Sequence, residues 1–226
     1  GEDNDNNTIQ ANTFTKVRYG IFVRGGSTSN PNTGTQIINN IIGPSAFGPE
    51  EIGKGGIVIR EEDGTQITGN EIRFVGGTFA NTSAGADRVG ISLGTDASWT
   101  PTSAYVKNAV IAKNKIHDVV DERTFSAAAI GIGGADGVNA TNNLIANNVI
   151  YGIKANGTSG DQTIGIGLSA GNGDRVVYNS IYLTGDTDPD AGAATPTTSN
   201  FGLSINSSSV TNPLIKDNAV YMDLSS

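Results

Sequence analysis

Two arginines end two look-alike stretches, Arg24 in YGIFVR and Arg60 in GGIVIR. Guanidinium groups side by side grip a carboxylate in a forked geometry. Such a clamp would neutralise a substrate carboxylate, which is half of what a lyase needs. The other half, a base, has no evident residue. The alternative is a surface ion-pair patch with Glu61, Glu62 or Asp63, which contributes little to stability. His117, the only histidine, lies in NKIHDVVDER with Asp118, Asp121 and Glu122 close by. A His–Asp pair can move protons near neutral pH; a lone histidine beside acids is otherwise a solvated surface residue. Asp186, Asp188 and Asp190 alternate in GDTDPDAGA. Alternating carboxylates are the hard oxygen ligands that calcium prefers. The EF-hand frame is not met, because Ala191 and Thr197 stand where its Gly and bidentate Glu belong. An acidic solvent loop is the alternative. Trp99 and Tyr105 fall in a long polar stretch, 95–106. Their rings would either stack on sugar faces or fold back and pin the loop.

What could position these residues is a repeat. The frame apolar–x–x–Asn–x–apolar occurs at Ile9/Asn12/Phe14, Ile37/Asn40/Ile42, Ile67/Asn70/Ile72 and Ile111/Asn114/Ile116. It returns at Ile145/Asn148/Ile150, Val176/Asn179/Ile181 and Ile215/Asn218/Val220. A second anchor, Gly followed by Ile or Leu, alternates with it at Gly20, Gly56, Gly90, Gly131, Gly165 and Gly202. Repeats of this length belong to solenoids, propellers or arrays. The apolar runs are short, β-branched and period-two, so they read as strands, with almost no helix anywhere. The spacing between Asn anchors varies from 28 to 44 residues while the anchors hold. Variable loops between fixed strands explain that, and no regular Asn-Gly or Asp-Gly hairpins suggest propeller blades.

The geometry that remains is a coil of parallel strands, three short strands per turn. The first runs from Gly56 to Arg60, the second over Gln66–Thr68 and the third over Glu71–Val75. Asn70 and its equivalents should turn the tight corner between second and third strands in the left-handed conformation, which Asn tolerates. Stacked from turn to turn, their amides should form an internal hydrogen-bonded ladder. Alternation along the first strands should point Phe22, Arg24, Val58, Arg60, Ser92, Gly94, Gly133, Gly167, Ser169, Ser204 and Asn206 outward.

This pattern resembles the right-handed parallel β-helix of the pectin-lyase-like superfamily, over residues 6 to 223. The style of NNLIANNVIYG and VYNSIYLTG also resembles repeat regions of large secreted or surface-attached bacterial proteins. The resemblance implies an all-β solenoid of about six rungs. It implies that any enzyme chemistry would sit in a groove over the first strands. Hydrolases of the superfamily carry Asp clusters there, and its calcium-dependent lyases carry Asp ligands and a basic residue. The outward set here holds no carboxylate, whereas a glycosidase needs two.

Bulk properties narrow the partners. Residues 1–226 suit a single domain, read as a piece of a longer protein, since neither end carries the polar cap a solenoid needs. The formal net charge of −8 argues against nucleic acid and anionic membranes. No apolar run is long enough to insert in a membrane. Cysteine is absent, so disulfides say nothing of compartment. The polar surface is mostly Ser, Thr, Asn and Gly, which suits a neutral glycan. Two functions follow. One is a non-catalytic extracellular module acting as stalk, adhesin or glycan-binding surface, with no catalytic residue, no cofactor except calcium, and open ends that invite end-to-end association. The other is a polysaccharide lyase or glycoside hydrolase working in the first-strand groove. Fold analogy alone does not decide between them.

Overall fold

The computed structural model describes residues 4–77, 87–94, 104–122, 125–134, 140–155, 161–187 and 200–225. Among them there is no helix, and every strand-to-strand pairing is parallel. The first sheet holds β3 (Tyr19–Arg24), β7 (Gly55–Arg60), β11 (Arg88–Leu93), β15 (Ala127–Ile132), β18 (Thr163–Leu168) and β22 (Phe201–Ile205). The second holds β1 (Thr8–Gln10), β5 (Gln36–Ile38), β9 (Gln66–Thr68), β13 (Val110–Ala112), β16 (Leu144–Ala146), β20 (Arg175–Val177) and β24 (Leu214–Lys216). The third holds β2 (Thr13–Phe14), β6 (Ile41–Ile42), β10 (Glu71–Gly76), β14 (Lys115–Asp121), β17 (Val149–Ala155), β21 (Ser180–Asp186) and β25 (Ala219–Ser225). Each strand pairs with the strand one repeat later, so the chain winds from sheet to sheet as a parallel β-solenoid.

The repeat lines the interior. Ile37, Ile67, Ile111, Ile145 and Val176 succeed one another in the second sheet, and Ile42, Ile72, Ile116, Ile150 and Ile181 in the third. All ten are at most 2% exposed. Removal of such side chains from water is the main favourable term in folding. The Gly of the second anchor has a steric reason. A Cβ on Gly56 would lie 2.5 Å from Ile72 Cγ2, and one on Gly90 would lie 2.6 Å from Ile116 Cγ2. The first-sheet backbone thus rests directly on the third-sheet isoleucines. At one turn the anchor differs from the Gly131-Ile132 expected from sequence. Ile91 pairs with Ile130 and Ser92 with Gly131, so Ala129-Ile130 is the true equivalent. Gly131 therefore takes the outward position of β15 that pairs with Ser92, two residues before the Gly133 expected from sequence.

The corners also differ from the expectation. Left-handed dihedrals fall on the residue before each frame Asn: Ala11, Asn39, Gly69, Lys113, Asn147, Tyr178 and Asp217. A second left-handed column precedes the second sheet at Asn6, Gly34, Gly64, Asn108, Asn142, Gly173 and Asn212. Only Asn and Gly occupy it, the residues that adopt this region at least cost. Between the first and second sheets lie additional short strands. These are β4 (Asn32–Thr33), β8 (Glu62–Asp63) and β12 (Val106–Lys107), with β19 (Gly171–Asn172) and β23 (Val210–Thr211) further on. A turn therefore carries up to four strands, not three. Left-handed Glu61 and Gly64 bracket β8 and give it room to pair.

The frame Asn residues do not turn the corner; they tie it. Asn148 donates from Nδ2 to Asn179 Oδ1 at 2.9 Å and to the Ile111 carbonyl at 3.0 Å. Its Oδ1 accepts from the backbone N–H and Nδ2 of Asn114, both at 3.0 Å. The same exchange joins Asn12 to Asn40, Asn40 to Asn70, Asn70 to Asn114, and Asn179 to Asn218. Asn148 is 1% exposed. Asn148→Leu should therefore destabilise the coil by about 1–3 kcal/mol or more, by leaving buried partners unpaired. An unchanged urea midpoint would show that this run of amides is dispensable.

Candidate functional site

The outer face of the first sheet is the first place to look. Arg24 and Arg60 are register partners in β3 and β7. They are not equivalent in charge balance. Arg24 Nε donates to Glu61 Oε2 at 2.8 Å, so its charge is already matched. Arg60 has no ion pair among the described residues, and its Nε is buried without a hydrogen-bond partner. Val58 and Ser92 point outward from the sheet yet are 1% and 0% exposed. Outward direction along a strand did not mean access to solvent.

Further along this face lies a cavity of about 360 Å³, lined by Asp87, Ser126, Gln162, Ile164, Ser169, Asn206 and Ser207. Asp87, Ser126 and Gln162 immediately precede β11, β15 and β18 and hold one position in successive turns. Their side chains accept from the backbone of the next turn: Asp87 Oδ1 from the Ser126 N–H at 3.0 Å, Ser126 Oγ from the Gln162 N–H at 3.1 Å. Ser169 Oγ donates to the Ile132 carbonyl at 2.9 Å. The wall is a set of hydroxyls and amides over one aliphatic side chain, with a single carboxyl.

Behind the cavity lies a group of buried charges of which sequence reading singled out only Asp121, and that beside His117. Asp161 is 6% exposed, and its Oδ2 is buried without a hydrogen-bond partner. Arg88 and Asp121 form a buried ion pair at 3.2 Å. Lys54 is buried too; burial, then the neighbouring Arg18 and Arg88, pull its ammonium below the usual lysine range. Burial pushes Asp87 up to about 6, helped by the Asp161 and Asp121 carboxylates and opposed by the Ser126 N–H and by Arg88. Burial, then Asp121, pushes Asp161 up to about 6 as well. Two carboxyls therefore exchange protons near neutral pH beside a cavity, which is what acid–base chemistry requires. The sequence signal was faint. Asp87 precedes the Arg-Val-Gly-Ile-Ser-Leu strand rather than lying on it, and Asp161 stands two residues before β18.

The other sequence candidates separate. His117 does leave the third sheet on its outer side, but it is 5% exposed rather than solvated. Its ring stacks on Tyr151 at 4.6 Å and meets Phe74 edge-on at 5.9 Å. Its nitrogens face Asp118 Oδ2 at 2.7 Å and Glu71 Oε1 at 3.1 Å. It is packed between rings, away from the cavity residues. Tyr105 donates its hydroxyl to the Ala140 carbonyl, an anchoring role. Trp99 lies outside the described residues. So do Asp188 and Asp190, while Asp186 ends β21 and lines a separate cavity of about 180 Å³ with Asp118, Glu122 and Lys154. Among the described residues no group of three His, Cys, Asp or Glu side chains is arranged to hold a metal. No protein-family model matches the chain, and no curated protein does.

The raised carboxyls make stability depend on pH. Asp87 and Asp161 bind protons more tightly folded than unfolded, where the ordinary value is 3.8. Their contribution therefore grows as pH falls through 6 and is lost as pH rises. Glu71 works in the opposite sense. Burial raises it, but hydrogen bonds from Lys115 and His117 outweigh burial and hold it below its ordinary 4.5. Its contribution is lost only below that range. Between pH 7 and pH 5 stability should rise by on the order of 1 kcal/mol per raised carboxyl. The Asp87→Asn, Asp161→Asn double variant should show a flatter profile over this interval in urea melts, with the remaining slope owed to Asp174, which burial also raises.

Proposed function

We propose that the chain is a non-catalytic extracellular module of a secreted or surface-attached bacterial protein, binding neutral glycan in the cavity over its first sheet. In this reading the solenoid is a right-handed parallel β-helix of about six rungs, of the pectin-lyase-like kind, and its amide run is an asparagine ladder. One observation carries the binding site: a cavity of about 360 Å³ walled by Ser126, Gln162, Ser169, Asn206, Ser207 and Asp87. Those groups match the donors and acceptors of sugar hydroxyls, and Ile164 supplies an apolar floor. Neither Lys nor Arg lines it, in keeping with a neutral ligand and the chain's net charge of −8.

A second reading is favoured by Asp87 and Asp161. Carboxyls near pH 6 suit the acid and base of a glycoside hydrolase, or, with Arg60, a lyase. One panel of neutral and acidic polysaccharides separates the two. Binding without release of reducing ends, weakened about tenfold by Asn206→Ala, is the outcome expected of a module. Release of reducing ends that vanishes in Asp87→Asn would replace it with the enzyme. No retention on any member would remove the glycan reading altogether. Calcium at Asp186, Asp188 and Asp190 remains the one cofactor proposed. Chelator should then lower the melting temperature of the native chain and leave the triple Asn variant unchanged.

A further inference from the structure

The third sheet carries a column of side chains on its outer face that neither the cavity nor the core uses. Successive register partners are Arg73, His117, Tyr151, Tyr182 and Tyr221. The first part of the column is closed on itself. Glu71 binds Arg73, Lys115 and His117, and the His117 ring is stacked on Tyr151. The later part is open. Tyr182 and Tyr221 are each 54% exposed and stack at 5.2 Å with an interplanar angle of 14°. Tyr182 has a register partner on both sides, Tyr151 and Tyr221, so its exposure belongs to the face and not to a free end. The adjoining outward column runs Val149, Ser180, Ala219, small and uncharged beyond Lys115. It leaves the tyrosine rings flanked on that side by uncharged side chains. Exposed Tyr178 sits at the corner before β21 with a φ of 58°, where other turns place Ala, Asn, Gly, Lys or Asp. A bulky aromatic gains nothing from that backbone conformation.

We propose that Tyr182 and Tyr221 form a second binding site, a strip that holds an extended, equatorially linked neutral polysaccharide lying along the coil axis. The coil sets the step. Register partners in neighbouring strands recur about every 4.8 Å. A fully extended chain of equatorially linked pyranoses advances by nearly the same step per sugar, so each unit meets one tyrosine. The exposed ring edges supply apolar contact and the phenol hydroxyls supply one hydrogen-bonding group per unit. An axially linked glucan coils and falls out of step after one or two units. This site lies on a different sheet from the cavity and does not rest on the cavity reading.

The test is co-sedimentation of the purified chain with microcrystalline cellulose, with starch granules as the out-of-step control. Wild type should sediment with cellulose and remain in solution with starch. Tyr182→Ala and Tyr221→Ala should each weaken retention roughly tenfold. Tyr182→Phe should keep most of it. Both alanine variants should melt within a few degrees of wild type, because the rings are outside the core. Equal retention by Tyr182→Ala, or equal sedimentation with starch, overturns the proposal. So does a wild-type dimer in analytical ultracentrifugation that Tyr182→Ala dissociates, since the strip would then be covered by a second copy of the chain.

Discussion

A parallel coil must bend sharply between strands that are buried on one side, and every bend brings backbone N–H and C=O groups into the interior without a sheet partner. An unpaired buried peptide group costs about 1–3 kcal/mol, and this coil bends several times per turn. Asn meets the need because one amide carries both a donor and an acceptor. Asn70 Nδ2 reaches back to the Ile37 carbonyl while also donating to Asn114 Oδ1. Each amide thus closes its own corner and supports the next turn. The rest of the molecule depends on that tie: strand register, the isoleucine columns and the alignment of outer faces all follow from one fixed corner per turn.

A tied corner frees the other segments to vary. Between frame Asn residues the chain spans 28 residues at its shortest and 44 at its longest without shifting register. Chemistry therefore accumulates where loops rejoin the sheets. Asp87, Ser126 and Gln162 stand at the first residue before three first-sheet strands, and Asp121 ends a third-sheet strand. Carboxyls placed there lose water and accept few compensating hydrogen bonds, which is why Asp87 and Asp161 hold their protons to about 6.

The buried charges near this corner are poised against one another. Arg88 and Asp121 are paired in charge, Lys54 is held down by burial and two arginines, and the two raised carboxyls carry little charge below their own range. Such a group contributes weakly to stability, because desolvation offsets the attraction. Its effect is to make the wall of the cavity responsive to pH.

Repetition made the fold legible. The Asn frame alone dictates parallel strands, the isoleucine columns and the stacked amides, because an apolar residue held at a fixed offset from a corner must face inward every time. A second signature was legible and passed unread: Asn or Gly stands six residues before each frame Asn, as Asn6 does before Asn12. Side-chain direction along a single strand was also legible, which aligned Arg24 with Arg60. What only tertiary structure decided was the environment of each outward residue. Val58, Ser92 and His117 point away from the core and are nonetheless covered, and Asp87 and Asp161 come together from turns 74 residues apart. Periodicity is a local property, carried by each repeat within itself. Burial, proton affinity and the company a side chain keeps are sums over neighbours from other turns, and the sequence between the repeated frames, which varies in length, has no period to read.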